Sequence, residues 1–352
     1  MGAAKNTADV DVSTLDEWIA DRLPGHGYPL SIEALGNGTG VANQLFWLRR
    51  GGHTWVLRAP PAVKDVPSAS NMEREWRILT ALEGSDVPHP TPLLEGTAEH
   101  SPLGSAFIIM AEVDGFTPVG PLPPPYDRPS SRRDLGFAMV DAVAAIGDLD
   151  YRAAGIEDLG RPDGFLERQV ARWSGQVDGY RTRDIPGYDK LAHWLNDNRP
   201  RTYDVGLMHG DYSPFNVMAS PVDTRRLAAV VDWDTGTIGD PLLDIGHLIA
   251  RWTEPGEQPA IGAWDIGDGV AELRAGLPSR AELADRYVER TGRDMSYLPF
   301  YQALALFKLA SILEGRVARA TRSRDQDTAA TWVAMVDRLV DVAYQFASGT
   351  RA

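Results

Sequence analysis

The residues best suited to chemistry lie in one short segment, residues 209–216, and in an aspartate further along the chain. An apolar run leads into a loop that holds His209, Asp211 and Asn216, and a second apolar run ends at Asp232. Phosphoryl transfer needs a carboxylate that orients and deprotonates the accepting hydroxyl, and oxygen ligands that hold Mg²⁺ on the phosphates. The pattern therefore predicts Asp211 as the base and Asn216 and Asp232 as metal ligands.

A plainer explanation exists for each of these residues taken singly. Asp and Asn favour turns, so the segment could be a β-hairpin whose polar side chains only cap its turns. The combination His-x-Asp-x4-Asn followed by a strand-terminal aspartate makes that alternative weaker. We assign His209 a structural role in holding the loop, Asp240 a role as the cap of the following helix, and Asp244 a role as a brace for the loop. The seven histidines show no metal-ligand spacing, which excludes zinc as an expected metal.

The run HGDYSPFN, residues 209–216, resembles the catalytic loop of the aminoglycoside phosphotransferase and choline kinase superfamily, which is related to the protein kinases. Residues 230–248, VVDWDTGTIGDPLLDIGHL, resemble its metal-binding segment. The chain is similar in particular to the kinase-like domain fused to certain acyl-CoA dehydrogenases and to its stand-alone bacterial relatives. The segments that carry this resemblance are 73–90, 160–173 and 300–315, within a similar region of about residues 30–320.

The resemblance implies an α+β, bilobal protein-kinase-like fold with a small five-stranded antiparallel β lobe and a larger, mainly helical lobe. The implied division is a tail and helix over 1–29, a nucleotide-binding N-lobe over 30–113, and a helical C-lobe with the catalytic loop and acceptor site over 114–352. A Gly- and Pro-rich connector lies at about residues 114–125.

The periodicity of the sequence favours the same outline. It predicts a disordered tail over residues 1–12 and a short helix opened by a capping box from Thr14 to Glu17. The predicted strands are 30–35, 41–50, 53–59, 92–97 and 105–113, with a helix at about 70–82. The predicted C-lobe helices include about 131–147, 162–178, 186–198, 279–291 and 323–347, interrupted by one strand-loop-strand segment over 203–233.

The resemblance also implies the groups that bind the nucleotide. Arg58 takes the place of the cation on the third strand that reaches the phosphates, with Lys64 as the fallback and a surface arginine on an edge strand as the alternative. The Gly-rich loop that covers the phosphates is represented by Gly38, Gly40 and Asn43. The hinge over 110–113, including Glu112 and Val113, is implied to bind the base through its backbone.

Glu75 shares the apolar face of its predicted helix with Leu79 and Leu82, at i, i+4 and i+7. A carboxylate on an apolar face requires a cationic partner, which predicts an ion pair between Glu75 and Arg58. A glutamate that extends outward to solvent is the alternative.

Composition limits the partners. The net charge is −14 without a basic block, so no nucleic-acid partner is expected. No stretch is long and apolar enough to span a bilayer, and the run over 300–313 is interrupted by Lys308, so no membrane partner is expected. The chain has no cysteine and its start has no signal-peptide core, which favours a cytoplasmic protein.

The expected cofactors are ATP or GTP with Mg²⁺, and the expected partner is a small-molecule hydroxyl acceptor. The dehydrogenase-linked resemblance favours a hydroxyacyl-CoA, whereas other relatives act on aminoglycoside-like or choline-like compounds and the net charge mildly favours a cation. The stretch Ile146–Asp150 lacks a histidine that close relatives tend to carry, which weakens the transfer of substrate identity. The alternative function is a non-catalytic nucleotide-binding or regulatory protein on a kinase-like fold.

Overall fold

The structure, a computed structural model, describes residues 11–35, 43–60, 72–260, 266 and 274–351. The described chain divides into two compact units. The first takes its residues from Met1–Ser85, His89–Asp114 and Val231–Asp234, and the second from Asp86–Pro88, Gly115–Val230 and Thr235–Ala352. The segment Val231–Asp234, which the sequence analysis placed with the helical part, groups with the first unit, where Arg58 binds Asp232.

The first unit is built on a five-stranded antiparallel sheet, as expected. Its strands are β1 (Ser31–Ala34), β2 (Gln44–Arg50), β3 (His53–Ala59), β4 (Pro92–Gly96) and β5 (Phe107–Ala111), in the spatial order β1-β2-β3-β5-β4. Gly51 and Gly52 join β2 to β3 with φ of 56° and 83°. Such positive φ values at both turn residues match the twist of a two-residue hairpin, and glycine adopts them without strain.

The described residues of the first unit form two helices, α1 (Val12–Ile19) and α2 (Met72–Leu82). Leu15 and Ile19 of α1 are buried against the sheet. The predicted capping box from Thr14 to Glu17 is wrong. The helix begins earlier because the Asp11 carboxylate accepts hydrogen bonds from the amides of Ser13 and Thr14 and so caps it.

The second unit is mainly helical. Its helices are α3 (Pro129–Asp148), α4 (Phe165–Tyr180), α5 (Tyr188–Asp197), α6 (Leu242–Arg251), α7 (Arg280–Thr291), α8 (Leu298–Ser323) and α9 (Gln326–Ala347). The five C-lobe helices predicted from periodicity are present, with ends displaced by up to about three residues. No helix within the described part of the chain is long and apolar enough to cross a membrane.

Short strands in the second unit carry the candidate catalytic loop. They are β6 (Gly206–Met208), β7 (Val217–Ala219), β8 (Leu227–Val230) and β9 (Thr237–Gly239), paired as β6 with β9 and β7 with β8. The sequence analysis expected a single strand-loop-strand segment and missed β7 and β9. A three-residue strand is too short to show an alternating pattern, and β9 exists because its backbone pairs with β6.

Candidate active site

The loop that follows β6 is bound through its backbone by side chains from distant parts of the second unit. The Asp244 carboxylate of α6 accepts from the amides of His209 at 2.5 Å and Gly210 at 2.9 Å. Thr235 donates its hydroxyl to the His209 carbonyl at 2.9 Å. The ammonium of Lys308, from α8, donates to the Gly210 carbonyl. The predicted brace at Asp244 is therefore confirmed, and it is one of three side chains that hold these two residues.

Gly210 is required by the geometry of this loop. Its φ is 83°, and a Cβ built there would lie 2.6 Å from the Thr235 carbonyl oxygen. The next amide, that of Asp211, donates to Nδ1 of the buried His209 at 3.3 Å. This contact confirms the structural role predicted for His209.

Asp211 and Asn216 meet at the end of this loop. The Asn216 amide nitrogen donates to the Asp211 carbonyl at 2.8 Å and to Asp211 Oδ2 at 3.2 Å. Among the described residues no donor meets Asn216 Oδ1, so this oxygen can accept from or bind another group. The Asp211 side chain is 49% exposed, which leaves its carboxylate accessible to an incoming hydroxyl.

His247, on α6, lies beside Asp211, with 3.8 Å between its Nδ1 and Asp211 Oδ1. Burial, together with the positive charges of Arg251 and Lys308, holds the pKa of His247 well below its usual range, so the ring is neutral near pH 7. Arg251 lies 3.3 Å from Nε2. Because arginine can only donate, the proton of the neutral ring is on Nδ1, the nitrogen that faces Asp211.

Lys308 is the second residue near Asp211 that the sequence analysis did not place in the site. Burial lowers the pKa of Lys308, and the negative charges of Asp211 and Asp244 act in the opposite direction. The signal that could have identified it is its position as the charge that interrupts the apolar run over 300–313. A lysine inside an apolar helical face requires an anionic or carbonyl partner.

The first unit contains a separate cluster of charges around Arg58. Its Nε donates to Glu75 Oε2 at 2.7 Å, which confirms the predicted pair, and its Nη2 binds Asp232 Oδ1. Asp234 Oδ2 lies 4.0 Å from the same nitrogen. Arg58 is 6% exposed and Glu75 1% exposed, so the pair is a buried one rather than a surface contact.

The neighbouring charges and burial affect the pKa of Glu75. Burial raises the pKa of Glu75 to about 7, the Arg58 guanidinium opposes that rise, and the charges of Asp232 and Asp234 add to it. Arg58 therefore lies within 4.0 Å of three carboxylates, those of Glu75, Asp232 and Asp234.

Asp232 has the features of a metal ligand. Its φ is 67°, a left-handed conformation that Asp and Asn adopt more readily than other side chains. The side chain is 42% exposed, and its Oδ2 has no partner among the residues described. Carboxylate oxygens are among the protein ligands that Mg²⁺ prefers, so the free oxygen of Asp232 is of a type that suits such an ion.

The other predicted residues give less information. Gly38, Gly40 and the fallback cation Lys64 lie outside the described residues. Asn43 directly precedes β2, and Glu112 and Val113 follow β5, where Glu112 is exposed. The Asp240 carboxylate accepts from the Leu242 amide at 3.0 Å, as expected of a residue that caps the start of α6.

Residues 33–283 match the phosphotransferase enzyme family. The chain belongs to this family. The match covers most of the five-stranded sheet, the catalytic loop and Asp232. It confirms the family resemblance that the sequence motifs carry.

Individual relatives agree with this assignment. The chain is 30% identical over 331 residues to acyl-CoA dehydrogenase family member 11 of Rattus norvegicus, a match that covers 91% of this chain and 42% of that protein. The chain thus spans less than half the length of this relative.

A crystal structure of a candidate aminoglycoside phosphotransferase from Ralstonia eutropha has a TM-score of 0.78 and 30% identity, covering 95% of this chain and 98% of that one. A thermostable mutant of an aminoglycoside phosphotransferase, in ternary complex with AMP-PNP and hygromycin B, has a TM-score of 0.56 and 15% identity. The match covers 94% of this chain and 98% of that one. The latter match shows the fold alone. Together these structures confirm the kinase-like fold class.

Proposed function

We propose that this phosphotransferase transfers the γ-phosphoryl group of ATP or GTP to a hydroxyl of a small molecule. The observation that carries the proposal is the catalytic loop. Its Asp211 carboxylate is exposed and is bound by the Asn216 amide, while the backbone amides of the two preceding residues are held by the buried Asp244 carboxylate. A hairpin that only turned the chain would not require this set of contacts.

Asp211 acts as the general base in this proposal. The acceptor hydroxyl donates to its carboxylate, and the proton moves to that carboxylate as the hydroxyl oxygen bonds to the γ-phosphorus. The bond from the γ-phosphorus to its bridging oxygen breaks, and the nucleoside diphosphate leaves with the electron pair of that bond. His247 remains neutral, so it adds no positive charge beside Asp211 during transfer.

Mg²⁺ would be held by Asn216 through Oδ1 and by Asp232. When bound, the ion supplies positive charge to the phosphate oxygens. Asn216 donates through its amide nitrogen to Asp211, which would leave its Oδ1 available as a ligand of the ion.

Arg58 would position the phosphates, with Glu75 holding the guanidinium. The Gly-rich loop with Gly38, Gly40 and Asn43 would cover them, and the backbone of Glu112 and Val113 would bind the base.

The acceptor is proposed to be a hydroxyacyl-CoA or an aminoglycoside-like compound. The first is supported by the 30% identity to a protein named as an acyl-CoA dehydrogenase family member. The second is supported by the name of the Ralstonia eutropha structure. A screen with γ-labelled ATP and GTP over hydroxyacyl-CoAs, aminoglycosides and choline analogues would identify the acceptor through transfer of label.

The Asp211→Asn variant tests the mechanism, because asparagine keeps the shape and most hydrogen bonds but cannot accept the proton. General-base assistance contributes about 10²–10⁴-fold, so kcat should fall by that amount or more. The melting temperature and Mg-ATP affinity should stay near those of the wild type. Asp189→Asn, an exposed change on α5, is the matched control and should retain full transfer.

Two results would contradict the proposal. Normal transfer by Asp211→Asn with a lowered melting temperature would make Asp211 only a brace of the loop. Binding of Mg-ATP by the wild type without transfer to any acceptor and without phosphate release would favour the non-catalytic alternative.

A further inference from the structure

Lys308 lies on a largely buried helix, where a charged side chain is unfavourable unless it has compensating partners. Its helix, α8, is buried over much of its length, and the residues on both sides of Lys308 include buried Phe307 and Ala310. The ammonium lies 5.7 Å from the centre of the Trp173 ring, which is itself 7% exposed. Burying an ammonium without compensation is costly, so its partners account for its presence.

Within the described part of the chain, the hydrogen-bond acceptor and the anionic partners of Lys308 belong to the catalytic loop or to the side chain that braces it. The ammonium donates to the Gly210 carbonyl, and Asp211 and Asp244 provide the negative charges that stabilise it, while Arg172 opposes them. Gly210 is thus bound on both of its polar groups. Asp244 binds its amide, and Lys308 binds its carbonyl.

The peptide between Gly210 and Asp211 is the part of the loop to which Lys308 donates a hydrogen bond. This peptide contains the Gly210 carbonyl, held by Lys308, and the Asp211 amide, held by His209 through a longer contact of 3.3 Å. Glycine has a wide choice of backbone angles, so the plane of this peptide is not fixed by the local chain. Rotation of the plane would displace the Asp211 carboxylate.

We propose that Lys308 is a positioning residue that fixes the Gly210–Asp211 peptide and thereby the orientation of the Asp211 carboxylate. The proposal rests on the function proposed above. Lys308 acts through the backbone, and contact with the acceptor is not part of its role. Loss of Lys308 therefore lowers the rate of phosphoryl transfer to any acceptor, including water, and leaves nucleotide binding unchanged.

Hydrogen exchange of the free protein tests the contact without relying on catalysis. In Lys308→Met, amides in a peptide spanning residues 206–213 should exchange about tenfold faster, as expected when a hydrogen bond from a charged donor is lost. Lys190→Met, an exposed change on α5 at the Tyr344 ring, should leave this peptide unaffected. Unchanged exchange in Lys308→Met would overturn the proposal, whatever the outcome of the kinase assays.

Hydrolysis of Mg-ATP in the absence of any acceptor tests the consequence for the reaction. Because small misplacements of reacting groups reduce rates by up to about 100-fold, kcat for hydrolysis should fall by about 10–100-fold in Lys308→Met. The KM for Mg-ATP should change by less than about twofold, since the contact contributes to positioning rather than to nucleotide binding. Lys308→Arg keeps the charge and the donors, so it should recover part of the lost kcat.

Three outcomes would overturn the role of Lys308. The first is unchanged hydrolysis with weaker transfer to a screened acceptor, which would make Lys308 an acceptor contact. The second is a raised KM for Mg-ATP with an unchanged kcat. The third is a kcat of Lys308→Arg no higher than that of Lys308→Met. By contrast, faster loop exchange in Lys308→Met with no hydrolysis by the wild type would support the contact and count against the proposed function.

Discussion

Replacing Arg58 by methionine should destabilise the first unit strongly. The change removes the cationic partner of Glu75, which is 1% exposed, and takes the guanidinium away from Asp232 and Asp234. Breaking a buried ion pair by removing one partner costs about 3–5 kcal/mol. At about 2–4 °C per kcal/mol, the melting temperature should fall by roughly 10 °C.

The loss should also grow with pH. Burial and the two nearby aspartates hold the pKa of Glu75 at about 7 in the folded protein, above its ordinary value of 4.5. Without Arg58 the pKa of Glu75 in the folded protein rises further. Glu75 of the folded variant therefore keeps its proton at pH values where Glu75 of the folded wild type has lost it. Stability therefore falls with pH over a wider range in Arg58→Met. The difference in stability from wild type should therefore be larger at a pH above 7 than at pH 7.

Denaturant and thermal unfolding at two pH values, in the presence of a chelator, would measure both effects. The matched control is Arg49→Met on the neighbouring strand, where the pair with Glu33 has side chains that are 45% and 68% exposed. Such a surface pair contributes about 0–1 kcal/mol. The reasoning would be refuted if Arg58→Met were no more destabilising than this control, or if its loss were the same at both pH values.

Three further changes test other parts of the structure. Asp232→Asn should abolish the Mg²⁺-dependent thermal shift with ATP, and a normal shift would exclude Asp232 as a ligand. Burial raises the pKa of Asp240 from 3.8 to about 7. The wild type should therefore lose stability relative to Asp240→Asn as pH rises through that interval. Melting temperatures measured against pH would test this, and parallel curves for the two proteins would contradict it. Gly210→Ala should lower the free energy of unfolding by about 1–3 kcal/mol because Gly210 has a positive φ and lies close to Thr235. The control Gly179→Ala, whose added Cβ would meet nothing within 4 Å, should not lower it. Equal free energies of unfolding for the two variants would refute the argument from backbone strain.

The sequence predicted the parts of the fold that depend on local pattern. Strand β3 was predicted at its observed bounds, 53–59, because it ends at a Gly-Gly turn on one side and a proline on the other. The pairing of Glu75 with Arg58 was also predictable, since helical periodicity places Glu75 on a buried face and a buried carboxylate requires a cation.

Features that depend on tertiary contacts were missed. The start of α1 depends on whether Asp11 or Thr14 caps the helix, and both residue types are suitable. Strand β9 is stabilised by pairing with β6, about 30 residues earlier, rather than by its own sequence. His247 reaches Asp211 only because α6 is packed beside the loop, a placement that sequence spacing does not reveal.

The same distinction bears on how a catalytic-loop motif should be interpreted. The motif at 209–216 is local, but its geometry depends on contacts from residues up to 98 positions away, in α6 and α8. A chain with this motif but without an acid at the position of Asp244 and a cation at that of Lys308 would have three backbone polar groups without these side-chain partners. Such a chain would retain the signature and lose the fixed base, as expected of a degenerate kinase fold. This chain has both residues in contact with the loop, which is why we favour an active phosphotransferase over a nucleotide-binding relative.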